Sequence, residues 1–101
     1  MAKKLSWVIT VTTAGTKVQG PSTGAGEFII KAAPPNTGYI YTGNDGADGV
    51  SSTTGFTLEA GDQIVQLLTS LDTVWFDSSV NGEKVNIIML RAPLEAALFS
   101  L

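Results

Sequence analysis

Three features of the sequence predict an all-β fold, built as a single antiparallel β-sandwich or small β-barrel. Apolar and polar residues alternate with a period of two in the stretches richest in β-formers. Gly and Pro clusters interrupt the chain roughly every 8 to 12 residues, and no helical spacing occurs before residue 92. A chain of 101 residues is near the commonest domain size and buries about 60 to 65% of its unfolded surface, enough for a core without disulfide or metal. The expected division is a β-sandwich domain over 1–91 and an apolar C-terminal arm, extended or short-helical, over 92–101.

The first strand follows from Leu5, Trp7, Ile9 and Val11, which alternate with Ser6, Thr10 and Thr12 and share one face. Ala14-Gly15 breaks it, and Thr16 to Gln19 return as a short second strand. Three Gly and one Pro within residues 20–26 then favour a loop. Glu27 to Ala33 form a strand that Pro34-Pro35-Asn36 ends, since proline gives no ladder hydrogen bond. Tyr39 to Tyr41 form the next. Residues 43–55 hold four Gly and two Asp, so the chain leaves the sheet there. Phe56 and Leu58 resume the alternation, Glu59-Ala60-Gly61-Asp62 turns, and Gln63 to Leu68 follow as a strand.

Asn81-Gly82, between two β-rich runs, is the preferred pair for a two-residue type I′ hairpin. That turn would pair Val80 with Glu83, Ser78 with Val85, Phe76 with Ile87 and Val74 with Met89, one nearly apolar face. On the other face Ser79 meets Lys84 and Asp77 meets Asn86, but Trp75 meets Ile88 and Thr73 meets Leu90. Trp75, Ile88 and Leu90 together are too apolar for a solvated surface, so something must cover them. The arm is the candidate cover. Leu94, Ala97, Leu98 and Leu101 have the spacing of one helical face, Phe99 adds to the apolar content, and Pro93 suits a first helical position. Ten residues do not hold a helix alone in water, so the arm docks on its own domain or on another chain. The predicted interface is therefore Trp75, Ile88, Leu90, Leu94, Leu98, Phe99 and Leu101.

Composition narrows the chemistry. Without Cys or His the chain lacks a thiol nucleophile, the usual general base and the commonest transition-metal ligands. The carboxylate pairs Asp72 with Asp77 and Asp45 with Asp48 sit beside turns, where Asp is expected anyway, and no G-x-S-x-G elbow occurs, so enzyme activity is not expected. Residues 20–26 lack the Gly-Lys-Ser/Thr ending of a phosphate loop. The run Asn44-Asp45-Gly46-Ala47-Asp48-Gly49 begins like a calcium loop, but Gly55 stands where the bidentate Glu belongs. The ordinary reading is an Asx-stabilised turn, and no metal or cofactor is expected. Tyr39 and Tyr41 share a strand face and, with Asn44, Asp45 and Asp48, would form a carbohydrate platform if one exists. A net charge of −3 with scattered cations argues against nucleic acid. The start, interrupted by Ser6 and Thr10 and without an A-x-A site, reads as a strand rather than a signal peptide, and no apolar run is long enough to span a membrane.

Over most of residues 8–86 the chain resembles small virion structural proteins of tailed bacteriophages. The resemblance rests on Val11-Thr12-Thr13-Ala14-Gly15-Thr16, Ile40-Tyr41-Thr42-Gly43, the run from Thr54 to Asp62, Val74-Trp75-Phe76-Asp77 and Gly82-Glu83-Lys84-Val85. It implies a capsid decoration, or cement, protein located in the virion after synthesis in the host cytoplasm. Such a protein forms a homo-oligomer, with a trimer favoured, and binds the major capsid protein or another virion protein. A tail or head-fibre module that binds a receptor or carbohydrate is the alternative. The arm departs from the resemblance, and no fibre-like repeat is present, which favours a compact clip.

Overall fold

The structure, a computed structural model, describes residues 5–44, 46, 50–51 and 54–91, and of Arg91 the backbone only. Eight strands form: β1 (Ser6–Val11), β2 (Val18–Gln19), β3 (Gly26–Ala32), β4 (Ile40–Gly43), β5 (Phe56–Leu58), β6 (Gln63–Leu68), β7 (Trp75–Ser78) and β8 (Glu83–Arg91). A 3₁₀ turn at Leu71–Thr73 precedes β7. They build two four-stranded antiparallel sheets, in the orders β1-β8-β3-β6 and β2-β7-β4-β5. The sandwich expected from the alternation is present. Its strand order is that of a jelly roll, two interlocked Greek keys.

The order is easiest to see as one long hairpin bent over itself. Its tip is the β4–β5 connection, and its arms pair β3 with β6, β2 with β7 and β1 with β8. The links that carry the two arms between sheets run side by side. Residues 12–17 meet 79–82 through Gly82 N–H to the Val11 carbonyl (2.8 Å) and Ala14 N–H to Asn81 Oδ1 (2.8 Å). Residues 33–39 and 59–62 border one hollow, and Gly61 N–H bonds to the carbonyl of Ala32 at the end of β3 (2.9 Å). Residues 20–25 meet 69–74 through Thr23 N–H to Ser70 Oγ (3.0 Å) and Leu71 N–H to Thr23 Oγ1 (3.0 Å).

The hairpin predicted at Asn81-Gly82 is not formed. β7 pairs with β2 and β4, while β8 pairs with β1 and β3, so the two strands lie in different sheets. Gly82 does take a positive φ of 80°, but Asn81 does not, which rules out the type I′ turn. The dipeptide instead serves a crossover, with Asn81 Oδ1 spent on the neighbouring link. The physical reason is burial. Val85 and Ile87 of β8 and Phe76 of β7 all point into one core, which two facing sheets close and a two-stranded ribbon does not.

That core gathers Ile9 and Val11 of β1, Phe28, Ile30 and Ala32 of β3, and Val85 and Ile87 of β8 against Ile40, Leu58 and Phe76 of the second sheet, with Leu71 and Val74 from the link before β7. Trp7 closes it, its ring 6.1 Å from that of Phe28. One end of the sandwich, the crossover end, carries four of the links between sheets, 12–17, 33–39, 59–62 and 79–82. The opposite end carries 20–25, 69–74 and, next to β4 and β5, Asn44 and Thr54, and there β8 ends at Arg91 opposite Glu27.

Candidate functional site

The outer face of the β1-β8-β3-β6 sheet is apolar where a solvated face would be polar. Side chains that alternate with the core residues point outward: Val8 of β1, Ile88 and Leu90 of β8, Ile29 of β3, and Val65 and Leu67 of β6. Register sets Ile88 beside Ile29 and Ile29 beside Val65, so the apolar surface runs unbroken across three strands. Val8 and Leu67 are 63% and 70% exposed, more than any other large apolar side chains among the described residues. Toward the crossover end the face turns polar, through Asn86, Lys31, Gln63 and Lys84. Between them lies a shallow concavity of about 690 Å³ lined by Val8, Ile29, Ile88 and Lys31.

Part of the predicted interface falls on this face. Ile88 and Leu90 are there, both about half exposed. Trp75 is not. It is half-buried on β7 in the other sheet, paired with Gln19 and Gly43, because the hairpin that would have set it opposite Ile88 does not exist. Leu94, Leu98, Phe99 and Leu101 lie outside the described residues. Val8, Val65 and Leu67 take the place assigned to Trp75, and β6 carried the signal for two of them. Its sequence QIVQLL is apolar at both parities, which leaves no solvated face for an edge strand.

The predicted carbohydrate platform is not assembled. Tyr41 is buried at 8% exposure, and a Cβ on Gly55 would sit 3.1 Å from its own Cβ, so the Gly55 backbone packs against the residue. Tyr39 is exposed but precedes β4 at the crossover end, where it borders a polar hollow with Asn36, Glu59 and Asp62. Asn44 follows β4 at the other end, about 16 Å away at ~3.3 Å per residue. Asp45 and Asp48 lie outside the described residues. The carboxylates weighed as a catalytic pair are also apart: Asp72 is in the turn before β7, and Asp77, near the end of that strand, accepts the Gly15 and Ser78 amides at 2.8 Å each. Among the described residues no cluster of carboxylates is arranged to hold a metal ion.

A third feature lies at the open side of the sandwich, between the edge strands β5 and β6. Thr42, Asn44, Thr54, Phe56, Ile64 and Gln66 line a cleft of about 400 Å³. The chain matches no protein-family model, no curated protein and no solved structure.

Proposed function

We propose that this chain is a virion structural protein, a capsid decoration module that self-associates and fastens to its assembly through the outer face of the β1-β8-β3-β6 sheet. The observation that carries the reading is the apolar row Ile88, Ile29 and Val65 across three strands, with Val8, Leu67 and Leu90 exposed on the same face and nothing over it among the described residues. The virion setting rests on the resemblance of residues 8–86 to small phage structural proteins.

Binding energy on such a face comes from removing apolar area from water, at about 25 cal/mol per Å². The four strands give a planar footprint of roughly 440 Å² from strand spacing and rise, below the ~800 Å² per partner of a standard specific interface. A second surface must therefore join it. In a closed ring each copy offers two different patches, and the face of one copy with the apolar arm 92–101 of the next meets that requirement. A module that binds only the assembled lattice stabilises it by RT ln(1 + [L]/Kd) per site.

The test is light scattering at micromolar concentration on the full chain, on the double variant Val65→Lys/Ile88→Lys, and on the chain ending at Arg91. The expected result is a discrete trimer that both changes convert to a monomer, with cooperative unfolding kept. Full-length protein that stays monomeric at every concentration and does not bind capsids overturns the reading.

A further inference from the structure

We infer that the cleft between β5 and β6 is a binding site for a neutral sugar ring. Two polar residues, Thr42 and Gln66, stand in core positions. Register places Thr42 between Phe76 of β7 and Phe56 of β5, on the inward side of its sheet. Gln66 lies opposite Phe28 of β3, on the inward side of the facing sheet. Phe28 and Phe76 are fully buried, and Thr42 is 2% exposed. Yet Thr42 Oγ1 and Gln66 Oε1 are both buried without a hydrogen-bond partner.

A buried polar atom left unpaired is destabilising, whereas an apolar residue of similar shape in its place is nearly neutral or stabilising. Val and Leu at these positions would complete the core. Thr42 and Gln66, from opposite sheets, line the same 400 Å³ cleft, a size within the usual range for a small-molecule site. The hydroxyl of Thr42 donates and accepts, and the Gln66 amide oxygen accepts.

The rest of the cleft narrows the ligand class. Phe56 points inward from an edge strand and is nonetheless 59% exposed, so it offers a ring face at the mouth. Asn44 and Thr54 add an amide and a hydroxyl, Ile64 adds an aliphatic wall, and among the described residues none of the lining side chains is charged. The matching molecule has hydroxyls for Thr42 and Gln66, an apolar C–H face for Phe56, and no net charge. That is a pyranose. A bound water would answer the two polar atoms but leave Phe56 uncovered. The inference is independent of the assembly reading, since the ligand enters at the sandwich edge.

The experiment is NMR on the full chain with glucose, galactose, mannose and N-acetylglucosamine as probes at millimolar concentration. Expected are saturation transfer to the ring C–H protons of at least one sugar, and shifts at Thr42, Phe56 and the Gln66 side-chain amide. Phe56→Ala should weaken that binding at least tenfold. Thr42→Val and Gln66→Leu should each weaken it while leaving the melting temperature unchanged or higher, a combination that loss of packing does not produce. Tyr39→Ala should leave binding unchanged. No transfer to any of the four sugars overturns the inference, as do shifts confined to the surroundings of Tyr39. Binding indifferent to both Phe56→Ala and Gln66→Leu does the same, and the second variant keeps the test decisive should the first fail to fold.

Discussion

At the scale of single residues, the buried acidic side chains Asp77 and Glu83 hold links between the sheets together. Glu83 is buried, and its carboxylate accepts the Gly38 amide at 2.8 Å and the Thr37 amide at 3.3 Å. Asn36 pins the same link to β8, its side chain bonded to both the N–H and the carbonyl of Lys84. Cutting Glu83 back to alanine strands two amides, each in a partly buried bond to a charged acceptor. We expect Glu83→Ala to lower stability by about 1–3 kcal/mol, read as a lower urea midpoint at unchanged m-value. An unchanged midpoint would show that water replaces the carboxylate. None of this was legible from the sequence, which sets Glu83 beside an apparent hairpin turn. Its partners lie 45 and 46 residues away, and nothing in a local pattern specifies an amide at that separation.

At the scale of elements, alternation located every strand and misjudged how two of them combine. Ile9 and Val11 are buried as the period of two requires, Trp7 is half-buried, and Leu5, just outside β1, is exposed. The β8 half of the predicted second face also stands: Lys84 and Asn86 near the link, Ile88 and Leu90 beyond it, all exposed. The β7 half does not, because Asn81-Gly82 suits a tight hairpin and a sheet-to-sheet crossover equally well, and the choice belongs to the core. Only Gly82 uses its freedom, at a φ of 80°, a region costly for a residue with a Cβ. Gly82→Ala should therefore destabilise by about 1–2 kcal/mol, measured as a fall in melting temperature, although a Cβ there meets no atom within 4 Å. Equal stability would mean that the link relaxes to negative φ. Gly20 has the opposite problem, with ordinary dihedrals but a Cβ that would overlap the Leu71 carbonyl.

At the scale of the whole molecule, the sandwich class was legible and the strand order was not. Alternation says which side chains turn inward, but β1 and its ladder partner β8 lie at opposite ends of the chain, and apolar side chains turn inward from both sheets. The outer apolar face shows the same limit: its members come from β1, β3, β6 and β8, and only their adjacency makes them a surface. That order has a kinetic consequence. The pair nearest in sequence is β4 with β5, then β3 with β6, β2 with β7, and finally β1 with β8, so each pairing shortens the loop that the next must close. We expect Leu58→Ala, in the strand pair nearest in sequence, to slow refolding in stopped-flow denaturant jumps. Val11→Ala, opposite Glu83, should mainly speed unfolding; the reverse pattern would place the nucleus at the termini. The bent hairpin is in this sense a zipper that closes outward from its tip, and its last stitch is the bond from Met89 N–H to the Leu5 carbonyl. The strand that forms last also carries Ile88 and Leu90, so the apolar face is completed only when the fold is, and a half-folded chain has no finished surface with which to bind a neighbour.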